Sequence, residues 1–382
     1  MTQSIVEIDL SAIVHNYGEA KRLAGNGVLL YPVIKADAYG HGIVPVGQTL
    51  QEAGADGFVI ASVEEAIALR IAGIKQPIVL HVPEPRDYID IIEYGITPVI
   101  FDLEIAEILA KESVRRNKPI AVYLKVETGM GRLGIPLSDL PRALSRVAEK
   151  GLEILGLMSH LASADTDREF TGAQIGRLAE AIDLGRRMGF QLSRNHIANS
   201  AGLVGYKTAR MELVRPGIML YGIPPSLIIE DSISLKPAMT LKSRIIQVSA
   251  VPEGTPVSYG CRYRTPGASR IATIPVGYEN GYNRLLSNRG EVLVRGKRAR
   301  VVGTVCMCLT MIDITHVEDA VAGDEVVLFG SQGKEEIHIT EVAAWANTIS
   351  YEVLCSVGRH NKRFIKYRPT GNNSPVRPGS ME

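Results

Sequence analysis

Several side chains in this sequence have the types and spacing that chemistry on an organic carbonyl would need. Lys35 ends an apolar run over residues 28–34. An ammonium held at the end of a buried strand is poorly hydrated, which lowers its pKa and suits it to Schiff-base formation. The same position also suits a solvated surface charge. Arg132 follows Glu127-Thr128-Gly129-Met130-Gly131 and is a candidate fork for a carboxylate; its bland alternative is a loop arginine paired with Glu127. Tyr39, Ser200 and Gly217 offer hydroxyl and backbone donors of the kind that cradle phosphate, although a turn glycine would explain Gly217 equally well. Lys125, His160, His196, Asn199 and Arg215 complete the set, and the two histidines can equally be core residues. No two histidines stand four residues apart, and Cys306-Met307-Cys308 is too tight for the usual zinc pair, so no metal is expected.

These residues need elements to hold them. Runs at 28–34, 57–61, 78–81, 97–100, 120–125, 154–159, 193–197 and 211–214 are short, apolar and not alternating, as strands buried on both faces should be. Helical spacing falls between them at 63–72, 103–116, 140–150 and 172–188, with Asp102 as an N-cap and Gly73 as a stop signal. Eight strands alternating with helices predict a (β/α)8 TIM-type barrel over residues 8–235. An open doubly wound sheet is the alternative, but the first strand is not followed by its glycine fingerprint. In a barrel the C-terminal strand ends carry function, and Lys35, Lys125, His160, His196 and Arg215 all fall at or just after such ends.

From residue 236 the texture changes to short β-branched runs at 241–251, 270–275, 291–294, 299–305 and 325–329, separated by turn signals. A mainly β C-terminal domain is expected over 236–368, joined by residues 1–7, with one helix at 340–348. A tail at 369–382, rich in Gly, Pro, Asn and Ser, is expected to be disordered.

The 382 residues carry 42 Lys+Arg against 41 Asp+Glu, a balance that gives no footprint for nucleic acid or an anionic membrane. The N-terminus lacks a basic n-region, and no run offers the roughly 18 apolar residues of a spanning helix. Four late-clustered cysteines are unlike a disulfide framework. These features together predict a cytoplasmic protein with reduced thiols.

The segment from Tyr31 to Gly42 (YPVIKADAYGHG) resembles the cofactor-lysine motif of the alanine racemase family. The likeness continues at 124–134, 160–165, 199–201 and 214–218, then at Val257-Ser258-Tyr259-Gly260, Val276-Gly277-Tyr278, Val305-Cys306-Met307 and Tyr351-Glu352-Val353. It covers about residues 4 to 360.

The resemblance implies a pyridoxal 5′-phosphate enzyme that interconverts L- and D-alanine and supplies D-alanine for peptidoglycan. It implies a homodimer with active sites shared between subunits. Lys35 would hold the cofactor and act as base on one face of the substrate, and Tyr259 of the second subunit would be the base on the other. Cofactor contacts would come from Tyr39, His160, Asn199, Ser200, Arg215, Gly217, Ile218 and Tyr351. Arg132, Met307 and Tyr278 would hold the substrate, and Lys125 would be carbamylated and orient Arg132. Arg215, acting through His160, is expected to stabilise the Tyr259 phenolate.

The sequence departs from the family pattern at Thr304, Cys308 and Asn280, where Arg, Asp and Asp are usual. That points to a less charged access corridor and keeps a serine or broad-specificity racemase as an alternative. A non-catalytic pyridoxal-phosphate carrier is the alternative of another class. Such carriers resemble only the first 230 residues or so, and Tyr259 lies beyond them.

Overall fold

The computed structural model describes residues 4–225 and 233–366. The chain divides into two compact units, one of Ile13–Ala38 and Ile43–Lys236, the other of residues up to Ala12, Tyr39–Gly42 and the chain from Pro237. Residues 8–12 and 39–42, expected within the barrel, therefore belong to the second unit. The 369–382 tail lies outside the described residues.

In the first unit the apolar runs form short parallel strands. After β1 (Ile5–Asp9), which belongs to the second unit, come β2 (Leu29–Leu30), β3 (Phe58–Ile60), β4 (Ile78–Leu80), β5 (Thr97–Ile100), β6 (Ala121–Lys125), β7 (Glu153–Met158) and β8 (Leu213–Val214). β3 to β7 pair in order, all parallel, and β2 pairs parallel with β8. A Val33–Val59 bridge joins the β2 segment to β3.

The segment expected as a strand at 193–197 forms only a bridge, Met158 to His196. It still completes the ring: His196 N–H donates to Leu157 O at 3.1 Å, and Arg215 N–H donates to Ala198 O at 3.0 Å. Its irregularity has a local cause. The Asn195 side chain accepts the Leu157 N–H at 2.9 Å in place of a main-chain carbonyl, so the ladder is partly made of side chain. Eight parallel positions thus close into a barrel, with Val, Ile and Leu on both faces because neither face meets water.

Helices alternate with these strands: α1 (Leu10–Ala24), α3 (Ile43–Glu52), α4 (Val63–Ile71), α5 (Tyr88–Glu93), α6 (Leu103–Arg116), α7 (Leu140–Glu149), α8 (Arg168–Arg187) and α9 (Ser200–Gly205). The intervening α2 (Lys35–Tyr39) is a left-handed turn. Asp102 caps α6 by accepting the Glu104 N–H, as its type predicts, and α6 ends on Asn117 in the left-handed region.

The second unit is built on one large mixed sheet. Its strands are β9 (Met239–Arg244), β10 (Gln247–Val251), β13 (Ser269–Ile274), β14 (Glu291–Val294), β15 (Lys297–Val301), β16 (Thr310–Asp313), β17 (Glu325–Gln332) and β19 (Lys362–Lys366), with β11 (Pro256–Val257) and β12 (Tyr263–Arg264) forming a separate pair. The order is β10-β13-β16-β15-β14-β17-β9-β1-β19, and β18 (Glu335–Ile337) adds to β17. The run expected as one strand at 241–251 is two, broken at Ile245-Ile246. The helix expected at 340–348 is α10 (Ile339–Trp345), and a second, α11 (Ser350–His360), follows it. Sequence reading missed α11 because Ser350, Val353, Ser356, Val357 and Gly358 are weak helix formers. Its buried Val353, Leu354 and Val357 stabilise it by packing instead. The Tyr39–Gly42 segment lies against α11 so closely that a Cβ on Gly358 would stand 2.1 Å from Gly40 O.

Among the described residues no helix is long and apolar enough to cross a membrane.

Gly156 on β7 tests the barrel directly. A Cβ there would stand 2.6 Å from the Arg194 carbonyl carbon and oxygen, both main-chain atoms. Gly156→Ala is expected to cost about 1–3 kcal/mol by overpacking, read as a lower denaturant midpoint at unchanged slope.

Candidate active site

Lys35 opens the turn that follows the β2 segment. Ala36, Asp37, Ala38 and Tyr39 all have φ of 54–55°. Left-handed backbone costs a non-glycine residue on the order of 1–2 kcal/mol, so four in a row need outside support. Asp37 N–H donates to Glu65 Oε1 at 2.9 Å, and Asp37 Oδ1 accepts the Ile43 N–H at 2.7 Å.

Arg215, just after β8, is 1% exposed and is the largest fully buried side chain. Its guanidinium donates to Ser159 O at 2.6 Å and Ile197 O at 3.3 Å, and lies 3.4 Å from His81 Nε2. Burial lowers its pKa to about 10, which leaves it a cation at neutral pH. His81, His160 and His196 are all held well below the usual imidazole range, by burial first and the Arg215 charge second. Neutral His81 must then present the lone pair of Nε2 to Arg215 and carry its proton on Nδ1. The expected relay from Arg215 through His160 is not built as a hydrogen bond: the imidazole facing the guanidinium is His81. Sequence reading passed over His81, although it ends the third expected strand and the strand-end rule would have selected it.

Lys125, the last residue of β6, is 6% exposed. Burial lowers its pKa to about 8, helped by the charges of Arg132 and Arg215. Glu127 does not pair with Arg132. Its carboxylate accepts the N–H groups of Gly129 and Gly131 and so shapes the loop that leaves Arg132 exposed. Thr128 anchors that loop: its hydroxyl lies 2.7 Å from Ser159 Oγ, and its carbonyl accepts from Arg177 at 2.7 Å. Lys35, Arg132 and Arg215 all act on the Lys125 charge, so this end of the barrel is a cluster of cations.

Ser200 starts α9 behind its N-cap Asn199, whose Oδ1 accepts the Gly202 N–H at 2.9 Å. Ser200 Oγ accepts the Gly217 N–H at 2.9 Å and the Met219 N–H at 3.4 Å. Accepting both bonds, the hydroxyl keeps its own proton to donate, and the Ile218 N–H, first in the short helix Ile218–Tyr221, has no partner within that helix. These two donors, the second close in sequence to Arg215, form a cradle that fits a phosphate. Arg215 Nε, buried and unpartnered, fits a further acceptor. His196 takes no part: it is buried edge-on against Tyr123, ring centroids 4.8 Å apart, as a core residue.

In the second unit Tyr39 and Tyr351 pack with ring centroids 5.8 Å apart. Burial, with Tyr351 and Cys355 nearby, pushes the Tyr39 phenol up, so it remains a neutral donor. Tyr259 sits on a loop held by its neighbours. Ser258 Oγ donates to Thr304 O at 2.6 Å, and Thr304 Oγ1 donates to Tyr259 O at 2.9 Å. Ser258 and Cys261, at φ 65° and 49°, bracket the Tyr259-Gly260 turn. Tyr259 is nevertheless 72% exposed, with Met307 at 56% and Tyr278 at 43%. The loop bearing Tyr278 is clasped to that of Met307: Tyr278 N–H donates to Cys306 O and Glu279 N–H to Met307 O. A Cβ on Gly277 would stand 2.2 Å from both of those carbonyl oxygens, so only glycine permits the approach.

Residues 8–225 match the family described as alanine racemase, N-terminal domain, and residues 238–365 match alanine racemase, C-terminal domain. The chain belongs to the alanine racemase family. It is 45% identical over 363 residues to the alanine racemase of Syntrophobacter fumaroxidans, covering 94% of this chain and 96% of that protein. The solved alanine racemase of Streptomyces coelicolor superposes with a TM-score of 0.91 at 33% identity, covering 96% and 98%. The Bartonella henselae alanine racemase, solved with covalently bound pyridoxal phosphate, gives a TM-score of 0.86 at 28% identity, covering 96% and 100%. The protein is therefore an isomerase that interconverts L- and D-alanine.

The positions that depart from the family pattern are all structurally engaged. Thr304 anchors the Tyr259 carbonyl. Cys308 Sγ donates to Glu279 Oε2 at 2.7 Å, which raises the thiol's pKa. Asn280 Oδ1 accepts the Gly277 N–H at 3.1 Å.

The lowered pKa of Lys125 gives stability a pH dependence of definite sign. Between about 8 and the ordinary lysine value of 10.5 the unfolded chain binds the proton that the folded chain has lost, so stability rises with pH. In CO2-free buffer the wild-type chain is expected to gain stability from pH 8 to pH 10 relative to Lys125→Met, measured by denaturant titration at each pH.

Proposed function

We propose that this chain performs its racemisation with pyridoxal 5′-phosphate and two bases, Lys35 and Tyr259, as a homodimer in which Tyr259 serves the second copy's barrel. The observation that carries the reading is the cation cluster of Lys35, Lys125, Arg132 and Arg215 beside the Ser200–Ile218 donor pair, all in one unit. An anionic cofactor and a substrate carboxylate both suit such a cluster.

Bound there, the cofactor would supply the electron sink that acidifies the amino acid's α-proton. Lys35 would hold it through Nζ. Ser200 Oγ and the Gly217-Ile218 backbone are assigned to the phosphate, along with the Tyr39 and Tyr351 hydroxyls, and Asn199 supports them by capping α9. His160, kept neutral by burial, is assigned to the ring face. Arg215 is assigned to the ring nitrogen. A guanidinium donates a hydrogen bond without surrendering its proton, and there it would leave the ring nitrogen unprotonated, which would disfavour transamination.

Racemisation needs a proton carrier on each face of the α-carbon. Lys35 Nζ takes one face and Tyr259 Oη the other. The exposure of Tyr259 on a loop tied at Ser258 and Thr304 supports its presentation to a second copy of the chain. Arg132 and the Met307 backbone are assigned to the substrate carboxylate, with Tyr278 beside them. Lys125 is suited to carbamylation, because only a neutral amine adds carbon dioxide and burial favours the neutral form. The resulting anion would pair with Arg132. Cytoplasmic D-alanine production for peptidoglycan is the role this reading assigns.

Two outcomes test it. Tyr259→Phe is expected to slow α-proton exchange from L-alanine by about 10²- to 10⁴-fold and from D-alanine much less, as read by NMR in D₂O; equal losses would refute the face assignment. Intact-protein mass at neutral pH is expected to show one carbon dioxide adduct that acid removes and Lys125→Met lacks.

A further inference from the structure

The turn after Lys35 raises a question that the site residues themselves do not answer: what holds four left-handed residues in place. Right-handed backbone is the default for Ala, Asp and Tyr, so the turn must be determined from outside. Glu65 meets it directly. This residue lies in the first turn of α4, in the loop after β3, and the β3 segment neighbours the Lys35 segment through the Val33–Val59 bridge.

The two oxygens of Glu65 do different work. Oε2 accepts the Ala61 N–H at 3.1 Å and the Ser62 N–H at 3.4 Å, closing the capping box of α4, while Ser62 Oγ accepts the Glu65 N–H at 3.4 Å. Oε1 accepts the Asp37 N–H at 2.9 Å. A capping box needs one acceptor from its glutamate, and the second is spent on the turn. Asp37 then passes the constraint on, its Oδ1 accepting the Ile43 N–H at 2.7 Å at the start of α3. The chain is thus pinned at Asp37, within the strained run, and at Ile43 beyond it, and the first pin is two residues from Lys35.

We propose that Glu65 is a positioning residue for Lys35: its carboxylate ties the left-handed turn to the capped start of the neighbouring helix and so sets where the lysine amine stands. The inference rests on Lys35 being the cofactor lysine. Glu65 touches neither cofactor nor substrate. It acts on geometry, and a base that must hold the cofactor and also move a proton tolerates little displacement.

The test compares Glu65→Gln with Ser62→Ala in the holoenzyme. Glutamine keeps the size and one acceptor, but its amide nitrogen cannot accept, so the turn bond and the cap bonds cannot both be kept. Ser62→Ala weakens the same helix cap and leaves both carboxylate contacts. Measurements are kcat and KM for alanine, thermal midpoint, and the pH titration of the cofactor–lysine absorption band. Glu65→Gln is expected to lower kcat by up to about 10²-fold with little change in KM and to shift the band's titration midpoint. Ser62→Ala is expected to lower the thermal midpoint comparably and leave kcat and the band near wild type. Equal kcat losses in the two variants, or an unshifted band in Glu65→Gln, would overturn the proposal by reducing Glu65 to a helix cap. Borohydride reduction of the wild type followed by peptide mass separates the underlying reading: a pyridoxyl group on any residue other than Lys35 would refute the lysine assignment itself.

Discussion

A guanidinium buried at one end of the barrel constrains much of what surrounds it. Arg215 is removed from water, and a buried cation is tolerable only when its donors are met. Its Nη2 donates to the main-chain carbonyls of Ser159, which follows β7, and Ile197, in the irregular seventh segment, while Nε is left for a further acceptor. The last turn of the ring is therefore held by a charge as well as by backbone pairing. Burial first, and that charge second, keeps three imidazoles neutral, and burial with the Arg132 and Arg215 charges lowers the pKa of Lys125. Few carboxylates balance it. Glu127, the acidic group acting on Lys125, turns its oxygens onto the N–H groups of its own loop. The excess of positive charge suits anions such as the phosphate and carboxylate of the proposed reaction.

The second unit solves a different problem. Its functional candidates, Tyr259, Tyr278 and Met307, are exposed side chains on loops, which would ordinarily be mobile. Here the loops are fastened to one another by close main-chain approach at Gly277, by Ser258 and Thr304 hydroxyls, and by the Cys308–Glu279 contact. Side chains on loops tied in this way lose little further freedom if they are bound. At positions 304 and 308 this chain uses a hydroxyl and a thiol that bond locally, Thr304 to the Tyr259 carbonyl and Cys308 to Glu279.

Strain at Lys35 belongs with these. Left-handed alanines do not persist on their own account. Glu65 bonds to the Asp37 amide, and Asp37 bonds in turn to the start of α3. Each is an ordinary contact, and both fall on the strained segment or just beyond it.

Much of this was legible in the sequence. Period and burial type gave the barrel strands, because a parallel strand covered on both faces must read as an unbroken apolar run. The strand-end rule collected Lys35, Lys125, His160 and Arg215 before any likeness was invoked, and Asp102 was recognisable as a cap. What escaped depended on partners distant in sequence. The seventh expected strand, at 193–197, is irregular because an asparagine side chain replaces a carbonyl. Helix α11 exists because its apolar face is covered, against its own propensity. The left-handed turn is written in residues that would each prefer otherwise. His81 and Glu65 carry no local sign of their roles, since one faces an arginine 134 positions away and the other an amide 28 positions back. Residue type and order thus determined which groups this protein has available for chemistry and roughly where the chain turns. Only tertiary structure decided which imidazoles stay neutral, which lysine has its pKa lowered and which backbone is strained, because burial and long-range hydrogen bonds set those energies.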